Sequence, residues 1–220
     1  MTTTKKIIIG VVIAAVLCVS IGVVLWSTPV LAVKNFDITG TKNTSVEEVQ
    51  QATGISVGDN MMRLDTASAA QSVAGLPWVR TVTVERSFPS TVGVEIQERE
   101  PVMFIREPDG DHLIDSTGHI FAIGEAPEGT MEVTGAAVDA PAIMEQLVDV
   151  VNAIDPEVRV QVARVNVPSE WEIEFELHDG RTVFWGAPEN NHDKGLAMRT
   201  VLTREGQHWN VSNPNLVTVR

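Results

Sequence analysis

Two histidines, His112 and His119, flank one short stretch and have Asp111 and Asp115 beside them. Zinc accepts imidazole and carboxylate donors of this kind, provided a third or fourth ligand arrives at fixed spacing. None does: the chain has no His-Glu-x-x-His, no cysteine near the pair and no second histidine cluster. Surface histidines on a polar hairpin account for the pattern. Asp109-Gly110-Asp111 could open a cation loop, but the other ligand positions and the closing glutamate of an EF-hand are missing, which leaves a plain turn. There is no P-loop, and no serine nucleophile elbow is assigned. Acids are so frequent that any glycosidase-type pair picked from them would be arbitrary. The only cysteine, Cys18, lies in an uncharged apolar run, so the rest of the chain has neither a disulfide framework nor a thiol nucleophile. No metal, cofactor or reaction centre is expected.

The chain does supply strand edges. In GLPWVRTVTVERSFPSTVGVEIQERE, residues 75–100, two alternating runs are joined by a turn at Arg86-Ser87-Phe88-Pro89-Ser90. Val82, Val84, Val92, Val94 and Ile96 share one face, and Thr81, Thr83, Glu85, Thr91, Glu95 and Gln97 share the other. Something must cover the apolar side. Two elements upstream can do so. Ser45 has capping-box spacing to Glu48, and Val46, Val49 and Ala52 follow at helical spacing up to Gly54. Ile55-Ser56-Val57-Gly58 reads as a connector. Asp65 caps a second helix, with Ala67, Ala70, Val73 and Ala74 as its apolar stripe and Gly75 and Pro77 as its stop. A strand over 33–39 precedes both and ends at Gly40. The order is strand, helix, helix, strand, strand, with two short helices on one face of a small sheet.

Charge sets the surroundings. Residues 7–25 contain no charge and thirteen Ile, Leu or Val. As a helix they span roughly 28 Å, close to the hydrocarbon thickness, and favour insertion by several kcal/mol. Lys5 and Lys6 precede the run and no basic residue follows until Lys34, which predicts a cytoplasmic N-terminus. A cleaved signal peptide is the competing reading, since Val30-Leu31-Ala32 resembles a cleavage site, although the run exceeds the usual h-region. Gly10, Ala14, Cys18 and Gly22 draw a small-residue stripe suited to helix packing, or simply reflect membrane-helix composition. Beyond the run, 14 basic residues face 29 acidic ones, and residues 107–157 hold twelve acids with no Lys or Arg. This balance argues against nucleic acid and anionic lipid. It fits a solvated acidic surface or a basic partner.

Further along, Leu113-Ile114-Asp115-Ser116-Thr117-Gly118-His119-Ile120-Phe121 reads as a hairpin turned by Asp and Gly. A helix over 140–154 places Ile143, Leu147, Val150, Val151 and Ile154 on one face. Strands are expected over 160–167, 171–177 and 182–185, with His178-Asp179-Gly180 as a tight turn. A helix over 194–204 and a last strand over 216–220 complete the pattern.

Several phrases together carry a resemblance. They are Phe36-Asp37-Ile38-Thr39-Gly40, Gly54-Ile55 with Gly58-Asp59-Asn60, Leu76-Pro77-Trp78-Val79, and Arg86-Ser87-Phe88-Pro89-Ser90 leading to Val94-Glu95-Ile96 and Glu98-Arg99-Glu100-Pro101-Val102. In that order and spacing they resemble a POTRA domain of the FtsQ/DivIB type, and the 113–121 phrase is similar to the opening of that family's β domain. The resemblance implies an α+β fold: a cytoplasmic tail (1–6), a single transmembrane helix (7–26), a linker (27–32), a β-α-α-β-β POTRA domain (33–101) and a mixed β domain with flanking helices (102–220). It implies a non-enzymatic divisome scaffold at the septum of a bacterial cell membrane, single-pass with its bulk outside. Such a scaffold would bind FtsB/FtsL-like division proteins, with septal synthases of the FtsW/FtsI type as further partners, and would help control septal wall synthesis.

Unpaired edges recruit partner strands through main-chain hydrogen bonds. By the resemblance, Val217, Thr218, Val219 and Arg220 form the receiving edge, with Arg220 suited to an acidic residue on the incoming strand. Pro168-Ser169-Glu170 stands where some family members carry a basic residue before the tryptophan that matches Trp171. The edge bearing Arg80, Val82, Val84 and Arg86 is the second candidate. Two other classes stay open: an anchored wall hydrolase using unassigned carboxylates, and a translocation module, which would usually carry repeated POTRA units and a barrel.

Overall fold

The computed structural model describes residues 3–27, 31–135, 138 and 140–219, and in the first helix the side chains of 10–20, 22, 23 and 26. The chain divides into two compact units, 1–99 and 100–220, each mixed α/β with its own core.

The first unit runs α1 (Thr3–Ser27), β1 (Asn35–Thr39), α2 (Val46–Ala52), α3 (Thr66–Val73), β2 (Val79–Ser87) and β3 (Thr91–Glu98). Among the described residues no helix is long and apolar enough to cross a membrane. Although α1 has 25 residues, its described side chains form an unbroken run only over 10–20. The sheet order is β1-β3-β2, with β1 parallel and β2 antiparallel to the central β3. Val84, Val92, Val94 and Ile96 are buried, Val82 packs against them, and Val49, Ala69 and Val73 of the two helices lie over them. The helix caps match the sequence: Ser45 accepts from the Glu48 N–H and Asp65 from the Ser68 N–H, each satisfying an orphan donor of the first turn. The stripe expected on the second helix is rotated. Ala69 is buried, while Ala67 and Ala74 are exposed, because the helix rests on its Ala69–Val73 face.

One interaction holds the end of β3 to the β1–α2 loop. Glu98 accepts the backbone N–H groups of Lys42, Asn43 and Thr44 at 2.9–3.0 Å and the Asn43 side-chain amide at 2.9 Å. Partial burial works to raise its pKa, but these donors outweigh it and hold the carboxyl at about 2 against an ordinary 4.5. Gly40 permits the loop. Its φ is +86°, and a Cβ there would stand 1.8 Å from the Ile96 carbonyl oxygen.

The second unit contains β4 (Pro101–Glu107), β5 (Gly110–Asp115), β6 (Ile120–Gly124), β7 (Met131–Gly135), α4 (Pro141–Ala153), α5 (Pro156–Arg159), β8 (Val162–Ser169), β9 (Glu172–Leu177), β10 (Thr182–Gly186), α6 (Asn191–Val201), β11 (His208–Asn210) and β12 (Thr218–Val219). They build one nine-stranded sheet in the order β12-β11-β10-β9-β8-β7-β4-β5-β6. Leu147, Val150, Val151 and Ile154 of α4 and Met198 and Val201 of α6 share a core with Val165, Phe175, Val183 and Trp185 of the central strands. Phe175 and Trp185 meet edge to face at 5.6 Å.

The alternate side chains of these strands form a registered polar row. Arg106 bonds Asp111 at 3.1 Å, Arg164 bonds Glu132 at 2.9 Å and Glu176 at 3.1 Å, and Thr182 lies opposite Glu176 and bonds His208 at 3.1 Å. Seven neighbouring strands contribute. Two acids of the 107–157 stretch, Asp111 and Glu132, are therefore held by arginines outside it, and Asp155 is held by Arg199 at 3.1 Å. The stretch is not simply solvated.

Candidate functional site

The outermost strand, β12, pairs antiparallel with β11, which itself joins β10 in parallel. A parallel join needs a crossover, and α6 supplies it. Asn210 and Asn213 then turn the chain back: the Asn210 side-chain oxygen accepts from the Ser212 N–H at 3.0 Å, and that of Asn213 from the Asn215 N–H at 3.1 Å. Among the described residues nothing pairs with the outer side of β12. Val219 is 47% exposed, Thr218 is exposed, and Val217 packs partly on the main core. Arg220 lies outside the described residues.

Beside this edge, α6 and the 214–217 segment form a groove of about 400 Å³ lined by Leu196, Ala197, Thr200, Arg204, Pro214 and Val217. Leu196 and the neighbouring Leu216 are exposed. The Trp209 indole N–H on β11 is buried with no acceptor among the described residues. An unsatisfied buried donor costs roughly 1–3 kcal/mol. Gly206 passes so close that a Cβ would stand 2.5 Å from Val219 Cγ2 and 2.7 Å from the Trp209 ring.

The core fixes α6 in place. Lys194 is buried and its Nζ donates to the Ala187 carbonyl at 2.7 Å, 5.9 Å from the Trp185 ring centroid. Burial pushes its pKa down, opposed in part by Glu189. Gly195 sits against the end of α4, where a Cβ would meet the Ala153 carbonyl oxygen at 2.2 Å. The Trp185 indole donates to Asn191 at 3.2 Å. The helix expected over 194–204 begins at Asn191, so Lys194 and Gly195 fall in its first turns, facing inward.

The second candidate edge, β2, is also outermost in its sheet. Arg80 is exposed at a register shift between Val79 and Thr81. Val82 and Val84 turn their side chains to the core, and Arg86 donates to the Leu64 carbonyl. The main chain of β2, Arg80 and the exposed Thr81, Thr83 and Glu85 remain for a partner. The structure places Gly10, Ala14, Cys18 and Gly22 on α1, all exposed. The two edges belong to separate units.

The histidines and turn acids are engaged locally. His112 Nε2 lies 2.9 Å from Asp109. Asp115 accepts from the Thr117 N–H at 2.9 Å, the Thr117 hydroxyl at 2.5 Å and the His119 N–H at 3.2 Å. No group of three or more potential ligands is gathered among the described residues. One motif passes unnoticed in the sequence reading: Gly54-Ile55-Ser56-Val57-Gly58 spells Gly-x-Ser-x-Gly. Ser56 follows a helix and sits in a turn closed by Asp59, whose side chain accepts from the Ser56 N–H at 2.8 Å. A nucleophile elbow needs a strand before the serine and a helix after it, so the match carries no chemistry.

Comparison with known proteins places both units. Residues 31–99 match the family described as POTRA domain, FtsQ-type, and residues 103–211 match cell division protein FtsQ/DivIB, C-terminal. The chain is 45% identical over 217 residues to cell division protein FtsQ of Corynebacterium glutamicum, covering 97% of each. It is 35% identical to cell division protein FtsQ of Mycolicibacterium smegmatis, covering 98% of this chain and 65% of that relative. The extracytoplasmic domain of the cell division protein DivIB from Geobacillus stearothermophilus is similar over 50% of this chain and 98% of its own, at 13% identity and a TM-score of 0.40.

Proposed function

The chain belongs to the FtsQ/DivIB family of cell division proteins, and from that premise we propose that it is a non-enzymatic scaffold that receives a strand of an FtsB/FtsL-like partner on β12. The observation that carries this reading is the β12 edge with the groove beside it. An incoming strand would satisfy the unpaired main-chain groups of β12 and set alternate side chains towards Leu196 and Val217. Arg220 would meet an acid on that strand.

Around this contact, α1 is the membrane anchor, its N-terminus cytoplasmic and both compact units outside, at the division septum. The 7–25 run and the Lys5–Lys6 pair support that topology. The stripe of Gly10, Ala14, Cys18 and Gly22 would let a partner stem approach α1, and septal synthases of the FtsW/FtsI type would join through the assembled complex. The β2 main chain is the secondary edge.

Co-purification tests the reading. Full-length chain and a truncation ending at Asn215 are each expressed with an FtsB/FtsL-like pair. Capture by the full chain, lost on truncation while hydrogen-exchange protection of β8–β10 persists, is the expected result. Equal capture by both would move the site to β2, and no capture by either would overturn the scaffold reading.

A further inference from the structure

A second cavity lies on the same unit, at the β5–β6 end of the sheet and away from the β12 edge. Between α4 and the β5–β6 hairpin is a pocket of about 610 Å³, within the roughly 300–1,000 Å³ typical of ligand sites. Its floor is apolar: Ile105 and Val148 are buried, Met144 is half-buried and Ile120 is 48% exposed. Glu145 and Asp149, one turn apart on α4, stand on the rim, both exposed and without an ion-pair partner among the described residues.

The walls are tied to each other. The Asn152 side-chain amide donates to the Ser116 carbonyl at 2.9 Å. Gly118 packs so tightly on α4 that a Cβ would stand 2.9 Å from Val148 Cγ2. The helix and the hairpin turn are therefore locked face to face, and Ile120 is presented beside them. Nothing in the fold requires an exposed isoleucine at that point.

Charge selects the occupant. The 107–157 stretch holds twelve acids and no Lys or Arg; Asp109 is met by His112 within it, and the arginines that pair with Asp111, Glu132 and Asp155 come from outside it. A phosphate backbone or an anionic bilayer would be repelled from this rim. A second copy of the chain, with a formal charge of −13, would be repelled as a whole.

We propose that the α4–hairpin pocket docks a basic amphipathic helix of a protein partner. Apolar side chains one turn apart would enter over Ile105, Ile120 and Met144, and flanking Lys or Arg would meet Glu145 and Asp149. This surface does not depend on the β12 contact, and loss of either one leaves the other intact.

The test uses full-length chain in detergent with methyl-labelled isoleucine and methionine. Three peptides of equal length serve as probes: Leu at i, i+3, i+4 and i+7 on a Lys background, the same with Ser for Leu, and the same Leu pattern on a Glu background. The Leu/Lys peptide is expected to shift the Ile105, Ile120 and Met144 methyls, with the other two at least about tenfold weaker. Reversing both rim acids, E145K with D149K, should weaken the Leu/Lys peptide about tenfold, as expected for two rim contacts. Reversing two distant exposed acids, E170K with E205K, should leave it within about twofold.

Equal binding of the Ser/Lys peptide, equal loss from both double reversals, or no methyl shift at all would overturn the proposal. So would methyl shifts that follow protein concentration without peptide, since the pocket would then serve self-association.

Discussion

Replacing Glu98 with glutamine removes the charge that three backbone N–H groups and one amide surround while keeping the side chain's shape. The carboxyl sits at about 2 instead of 4.5, formally about 3 kcal/mol at 1.36 kcal/mol per pH unit. The group is only half-buried, so solvent screening brings the expected contribution to about 1–2 kcal/mol. Because the folded pKa lies below the unfolded one, this stability is fully present above about 4.5 and disappears as the pH falls towards about 2. The assay is guanidinium unfolding of a fragment over 31–101, followed by Trp78 fluorescence across that range. Wild type should exceed E98Q by about 1–2 kcal/mol at neutral pH, with the gap closing as the acid limit is approached. Amide exchange at Lys42, Asn43 and Thr44 should quicken in the variant before the rest of the sheet responds. A gap that stays constant with pH, or no gap at neutral pH, would refute the reasoning.

Three other substitutions probe the second unit. G195A should force α6 away from the Ala153 carbonyl and destabilise this unit by about 1–3 kcal/mol, the usual cost of overpacking, read as a lower denaturation midpoint. V219E, on the exposed edge, should leave that midpoint unchanged while abolishing capture of an FtsB/FtsL-like pair in co-purification. E132A leaves Arg106 and Arg164 without their shared acid and should lower the midpoint more at low salt than at high salt, as a charge effect at the surface requires.

Local signals were the legible part of the fold. Ser45 and Asp65 cap their helices because capping depends on residues three positions apart, and the valines of 82–96 fall on one face because the strand period is two. Periodicity is weak evidence in an alanine-rich helix. Ala67, Ala69, Ala70 and Ala74 permit several stripes, and packing against β2 selected Ala69. Contacts over long separations left no trace. Glu98 meets a loop 54–56 residues away, and the row from Asp111 to His208 depends on a strand order that does not follow the chain. The short β11 went unread, although Trp209 and Val211 alternate around Asn210 and both are buried. At the candidate site the terminal edge was visible in the sequence. Its groove was not, because it depends on the 214–217 segment packing back beside α6, a contact that no local pattern records.

The parallel pairing of β1 with β3 has a mechanical consequence. The chain enters the first unit's sheet at the start of β1 and leaves it at the end of β3, and these two strands point the same way over five paired residues. If α1 is held in the bilayer and the second unit is bound to a partner, tension between them would draw the strands past each other. Every pair in the register would then be loaded together, so the sheet would resist in shear. The antiparallel β2–β3 hairpin, gripped at its open end, would instead release one pair at a time. Single-molecule stretching with handles at residues 31 and 101 should give a higher rupture force than handles at 79 and 98. Equal forces would show that strand direction lends the first unit no strength as a tether.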